Sequence, residues 1–240
     1  MSFGTIRGGG AWHRGRGRSY PAALTPPQPA AAVFDMDGTL VDSEELTRTV
    51  IDGLLAGVGL PPEVLRDEEL HGVTWGAIVK LLADRSPLRV TPEELADAWL
   101  ACWRAEPPPP VPGAPEALRA IRAAGLRVAL ATSSDGQAVQ ALLERPAFAD
   151  AFDATVCADD IERSKPDPQI FQLAAERLQV APERCLAFED SLAGLRAARA
   201  AGMITVAVLL RCADPEQARR LADHAIIDFT DLPPELLGTP

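Results

Sequence analysis

The sequence predicts an α/β fold: a Rossmann-like parallel sheet with helices on both faces, interrupted once by an inserted α-helical cap. Three observations predict it. Short apolar runs alternate with amphipathic stretches along most of the chain, as strand–helix–strand crossovers require. The strand runs are apolar throughout, as strands covered on both faces must be. Residues 43–106 break the alternation after its first strand with an almost unbroken helical pattern.

Residues 1–29 are rich in Gly, Arg and Pro and carry neither period, which predicts a disordered tail. Three Arg-Gly steps there have the composition of an RNA-binding tail, though a plain extension is the simpler reading. AAAVF at 30–34 then reads as a buried strand running into Asp35. Asp42, three residues before Glu45, resembles a capping box and starts the helical block. Within the block, LTRTVIDGLLAGVG, WGAIVKLLAD and PEELADAWLACWRAE place apolar residues three and four apart. Trp99 and Trp103 are expected in the core of this block; for His71 and Trp75, contact with substrate is one reading and packing within the block the simpler one. PPPPVP at 107–112 is a stiff linker.

The second regime opens with APEALRAIRAAG, a helix closed by Gly125, followed by the strand LRVALAT. A helix at 136–145, a strand near 152–157 and a helix opened by the prolines at 166–168 come next. The strand CLAF, the helix SLAGLRAARAAG with Ser191 as a candidate cap, the strand ITVAVLL, a further helix and the strand HAII complete the series. The expected division is a core domain from 30–42 and 113–240, with 43–112 as a helical insertion ending in the linker.

Composition narrows the function. The 240 residues are 47% hydrophobic and 24% charged, the balance of a soluble globular protein. The net charge is −11, and Arg7, Arg14, Arg16 and Arg18 meet no acid in the first thirty residues, leaving −15 on the rest. So acidic a body repels phosphate backbones and anionic lipid, so neither nucleic acid nor a membrane is an expected partner. Cys102, Cys157, Cys185 and Cys212 show no C-x-x-C spacing, which suits reduced thiols in a cytoplasm. No stretch reaches membrane-spanning length and no secretory signal opens the chain, so a cytoplasmic location is expected. His13 and His224 have no companion that suggests a metal site. Nothing indicates the oligomeric state.

The polar residues at strand ends carry the functional signal, because ligands of open parallel sheets bind beyond the carboxyl ends of the strands. Asp35 and Asp37 follow the first strand; Thr132, Ser133 and Ser134 follow LRVALA; Glu189 and Asp190 follow CLAF; Lys165 lies in RSKPDP. Acids, hydroxyls and a lysine at one edge describe a site for a metal ion and a phosphoryl group. A carboxylate can attack phosphorus and divide hydrolysis into two easier steps. A second acid can protonate the leaving oxygen and later deprotonate water. A bridging Mg²⁺ removes the repulsion between carboxylate and phosphate. Gly38 permits the turn that aims both acids at one substrate. Lys80 and Lys165 are the only lysines beside 21 arginines, so a lysine at this edge is wanted for its compact charge.

DMDGTLVDSE, ATSSDG, SKPDP and FEDSLAG resemble, in order, the four motifs of the haloacid dehalogenase-like hydrolase superfamily, over about residues 31 to 230. The resemblance implies Asp35 as nucleophile and Asp37 as general acid/base. Thr132 and Ser133 would bind the phosphoryl group, with Lys165 stabilising its charge. Asp35, the Asp37 backbone carbonyl and Asp190 would hold Mg²⁺, with Glu189 close by or acting through water. The helical insertion resembles the cap of the subgroup that contains β-phosphoglucomutases and phosphoglycolate-type phosphatases. Asp37 favours phosphoryl chemistry over dehalogenation, since halide leaves without a proton. Mutases of this kind place a histidine shortly after the first motif and an arginine in the cap. Thr47 and Trp75 stand there instead, so the resemblance favours a phosphatase acting on a small phosphorylated metabolite. The rival from another class is a non-enzymatic binding protein on the same scaffold.

Overall fold

In the computed structural model, which describes residues 28–66, 69–70 and 74–237, six parallel strands form one sheet in the order β3-β2-β1-β4-β5-β6. They are β1 (Ala31–Phe34), β2 (Arg127–Ala131), β3 (Ala154–Val156), β4 (Cys185–Glu189), β5 (Ile204–Val208) and β6 (His224–Ile226). The chain builds outward from β1 to β3, returns to set β4 beside β1, and builds outward on the other side. The order therefore reverses between β1 and β4, and a crevice opens beyond their carboxyl ends. Residues 1–27 of the tail expected over 1–29, and His71, lie outside the described residues.

Three helices stand between β1 and the second strand's own helix: α1 (Glu44–Gly57), α2 (Trp75–Arg85) and α3 (Pro92–Ala105). The chain then continues through α4 (Ala114–Ala123), α5 (Gly136–Leu143), α6 (Gln169–Leu178), α7 (Leu192–Ala201) and α8 (Pro215–Leu221). Alternate strand residues feed two layers. Ala32, Phe34, Leu130, Leu186 and Phe188 pack with α4 and α5, while Ala31, Val33, Ala129, Ala131 and Ala187 pack with α6 and α7. The second set is mostly alanine, which lets α6 and α7 lie close to the sheet.

Register positions the site. Phe34 pairs with Phe188 across β1 and β4, and their rings stack at 4.6 Å, only 6° from parallel. That stack fixes where both strands end, so Asp35 leaves the sheet beside Glu189.

The inserted helices bury a cluster of their own: Ile51, Leu55, Leu65, Ile78, Leu82 and Leu95. Trp99 and Trp103 do not centre it as expected. Both are buried in the cluster that holds Phe34, Leu40 and Val41, because their stripe of α3 faces the sheet domain instead. There the Arg145 guanidinium lies 5.9 Å from the Trp103 ring centroid, and Nη1 donates to the Pro108 carbonyl at 2.7 Å. A second correction concerns α1. Its N-cap is Ser43, whose hydroxyl donates to Asp37 and makes no capping bond, while Asp42 turns away to pair with Arg211. The capping box of the insertion is on α3, where Thr91 and Glu94 exchange bonds of 3.2 and 2.8 Å. The two linker strands are held together by a Val41–Pro110 bridge and by Asp42 N–H donating to Pro109 at 2.9 Å. Among the described residues no helix is long and apolar enough to cross a membrane.

Candidate active site

Four loops meet at the crevice. The first, after β1, carries Asp35, Asp37 and Gly38. Gly38 has φ +76°, and its amide closes a tight turn onto the Val41 carbonyl at 2.8 Å. The turn is needed for space as well as direction. A Cβ at Gly38 would stand 2.2 Å from Asp190 Oδ2, so the glycine leaves room for the carboxylate arriving from the end of β4. Gly194 in α7 does the same for Glu189, whose Oε1 would meet a Cβ there at 1.8 Å.

Lys165, from the loop before α6, fills the gap between these strands. Its Nζ donates to Asp35 Oδ1 and Glu189 Oε1, both at 2.5 Å, and to the Ala131 carbonyl at 3.2 Å. The ammonium also lies 5.2 Å from the Phe171 ring centroid. Burial alone would pull its pKa down, but the charges of Asp35 and Glu189 outweigh it and hold the ammonium above its ordinary value. Asp35 is pushed up from the usual carboxylate range, chiefly by burial, with Lys165 opposing and the charges of Glu189 and Asp37 adding to the rise.

Asp37 sits across the turn, held by hydroxyls. Ser43 Oγ donates to Oδ1 at 2.6 Å; Ser134 Oγ donates to Oδ2 at 2.7 Å, with Thr132 Oγ1 farther off at 3.5 Å. Burial raises the Asp37 pKa and the Ser43 and Ser134 hydrogen bonds only partly offset this. A carboxyl whose pKa is raised by burial, set beside one that is paired with a lysine, is an arrangement suited to acid/base work.

Every residue expected at the site is brought to it, in differing positions. Thr132 is fully buried beneath the surface, accepting from the Ser134 amide at 3.0 Å. Ser133 Oγ is buried with no hydrogen-bond partner among the described residues, and Ser133 lines a cavity of about 50 Å³ shared with Asp35, Asp37 and Ser134. Its far wall comes from the insertion: Thr47, Trp75, Ile78 and Trp99 from its helices and Leu70 from the segment between α1 and α2. Asp190 accepts from Thr39 Oγ1 at 3.0 Å. Both oxygens of Glu189 are engaged, Oε1 by Lys165 and Oε2 by the amide and hydroxyl of Ser191, each at 2.9 Å. Ser191 also caps α7, accepting from Gly194 N–H at 3.0 Å.

The donor set suits a divalent cation. Asp35, Glu189 and Asp190, all buried, offer carboxylate oxygens within 4.8 Å of one another. Four acids around one lysine leave an excess of negative charge, and hard oxygen donors are what Mg²⁺-class ions accept. Of the three, Glu189 is the least free to reach an ion, since its oxygens are already bonded.

Sequence reasoning missed Ser43, Thr39 and Gly194 as parts of this site, and placed Ser134 at the crevice without assigning it to Asp37. Ser43 and Thr39 lie within DMDGTLVDSE, but their partners are set by the turn and, for Thr39, by a residue 151 positions away.

Residues 29–202 match the haloacid dehalogenase-like hydrolase family. Hexitol phosphatase B of Escherichia coli strain K12 is 33% identical over 223 residues, covering 89% of this chain and 99% of that protein. The fructose-1-phosphate phosphatase of the same strain is 34% identical over 186 residues, covering 75% of this chain and 97% of that one. Among solved structures, CbbY of Rhodobacter sphaeroides in complex with phosphate superposes with a TM-score of 0.72 at 27% identity, covering 88% of this chain and all of that one.

Proposed function

From the premise that this chain belongs to the haloacid dehalogenase-like hydrolases and is a phosphoric monoester hydrolase, we propose that it is an Mg²⁺-dependent cytoplasmic phosphatase of small sugar phosphates. One observation carries the reading: Lys165 bridges Asp35 and Glu189 at 2.5 Å, gathering three distant segments around one carboxylate. Unbonded thiols at all four cysteines suit a reducing compartment.

Asp35 attacks the phosphorus and the ester P–O bond breaks, leaving an aspartyl-phosphate. Asp37 gives its proton to the departing alkoxide, so the alcohol leaves neutral. Asp37 then takes a proton from water as that water attacks the same phosphorus, releasing inorganic phosphate and regenerating Asp35. Lys165 and the hydroxyl of Ser133 face the charge on the phosphoryl oxygens, while Thr132 braces the loop that presents Ser133 and Ser134. Asp35, Asp190, the Asp37 backbone carbonyl and Glu189, directly or through water, would hold Mg²⁺, which supplies charge neutralisation when bound. The inserted helices act as a cap, excluding water from the crevice and selecting the leaving group.

Thr47 and Trp75 both line the cavity where a mutase of this group carries a histidine and an arginine, which speaks against phosphoryl return to a sugar. A purely binding role is disfavoured by the complete set of Asp35, Asp37, Lys165 and Asp190 in one place. Phosphate release from a panel of sugar phosphates is expected with Mg²⁺, is lost with EDTA, and falls at least roughly 10³-fold in Asp35→Asn with the fold intact. No release from any substrate would instead support the binding protein.

A further inference from the structure

The wall of the cavity opposite the carboxylates is built from the insertion, and its chemistry is lopsided. Leu70, Trp75, Ile78 and Trp99 supply apolar surface, and Thr47 is the one hydroxyl among them. Trp75 is half-buried, its ring lies 6.1 Å from that of Trp99 and tilted by 59°, and both side chains border the cavity. Among the described residues lining the cavity there is no Lys, Arg or His.

Thr47 has a defined orientation. Trp99 Nε1 donates to Thr47 Oγ1 at 3.2 Å. An indole N–H can only donate, so the hydroxyl acts as acceptor on that side. Among the described residues the Thr47 hydroxyl hydrogen meets no acceptor, and the side chain borders the cavity. The result is one directed O–H donor set in an aromatic and aliphatic surface.

Resting on the phosphatase reading above, we propose that Thr47 and Trp75 form the leaving-group subsite and select uncharged polyol or sugar monophosphates. The Thr47 O–H donates to a hydroxyl of the leaving group, and the Trp75 ring covers its C–H face. Among its described residues this wall offers one neutral donor and no cation, so a second phosphate or a carboxylate finds no charge there to pair with, and burying an unpaired anion is strongly unfavourable. A chain lacking hydroxyls leaves the Thr47 donor unsatisfied, which is the usual basis for rejecting a deoxygenated analogue.

The test compares kcat/KM for a hexitol monophosphate, hexyl phosphate and a hexitol bisphosphate, with p-nitrophenyl phosphate as a general reporter of phosphatase activity. The wild-type enzyme is expected to prefer the hexitol monophosphate about tenfold or more over each of the other two alkyl esters. In Thr47→Val the ratio of hexitol to hexyl phosphate falls about tenfold, and Thr47→Ser restores it. A merely structural Thr47 would leave that ratio unmoved, and such a result overturns the proposal. Equal turnover of the bisphosphate and monophosphate by the wild type also overturns it, even if Thr47→Val fails to fold. Hydrolysis of p-nitrophenyl phosphate without these preferences removes the subsite and leaves the phosphatase reading standing; no hydrolysis of any ester removes both.

Discussion

At the scale of single residues, the site depends on atoms that are missing as much as on those present. Ala in place of Gly194 should stabilise α7 by roughly 1 kcal/mol on helix propensity alone. The Cβ would meet Glu189 Oε1 at 1.8 Å, however, so backbone or carboxylate must move, and Lys165 loses a partner. Overpacking of that kind costs about 1–3 kcal/mol, and we expect Gly194→Ala to be destabilised in a denaturant titration and to lose activity. A more stable variant would show that propensity decides. Ser134 supports a second prediction. Its hydroxyl donates to Asp37 and favours the ionised carboxylate, so Ser134→Ala raises the Asp37 pKa further above its ordinary value. Any limb of the pH–rate profile set by Asp37 moves to higher pH; an unmoved profile would remove Asp37 from acid/base duty. The acids and the lysine were legible in the sequence because each ends a strand or opens a helix. The place of Ser134 at the crevice was legible too, but its bond to Asp37 was not, since Ser133 stands beside it in one loop and only the folded turn decides which hydroxyl meets Asp37.

At the scale of elements, periodicity found every strand and most helix bounds, and failed where long-range partners override local grammar. Asp42 and Glu45 have capping-box spacing, yet Asp42 is taken by Arg211, 169 positions away, and α1 begins one residue later than that box implies. Where no distant partner competes, local chemistry holds: Ser191 caps α7 as its sequence suggests. Trp99 and Trp103 share a face of α3 as their spacing requires, but spacing does not say which domain that face meets. The short helical turn Ala158–Asp160 after β3 is tied to α6 by Arg177, which donates to Asp160 at 2.6 Å. That hydrogen bond holds the Asp160 carboxyl down at about 2, against an ordinary value of 3.8. Since the folded pKa is the lower one, the contribution is present above about 4 and is lost as pH falls toward 2. Arg177→Gln should therefore cut stability at neutral pH, with the gap to wild type closing across that acid window; a pH-independent gap would assign the loss to packing. The pair is partly exposed, so salt should shrink the effect.

At the scale of the whole molecule, the strand order places β1 and β4 side by side where it reverses, and the Phe34–Phe188 stack sets both ends at one level. Acids 154 and 155 residues beyond Asp35 thereby become its neighbours, and Lys165 joins them from a third segment. The inserted helices close the other side with a wall that carries no charge among its described residues. Sheet and insertion meet through Trp103, Arg145 and the paired linker strands, so the cavity's size is set by how these two parts sit. That the crevice would hold acids, hydroxyls and a lysine followed from the order of strands and loops. The neutrality of its far wall did not, because helical periodicity separates buried from exposed faces without saying what a buried face looks onto. The central claim is that Asp35 itself becomes phosphorylated during turnover. Rapid acid quench during hydrolysis, followed by peptide mapping by mass spectrometry, tests it most directly. We expect a phosphoryl group on the peptide containing Asp35 in the wild-type protein and none in Asp35→Asn; steady turnover by Asp35→Asn at the wild-type rate would contradict the account.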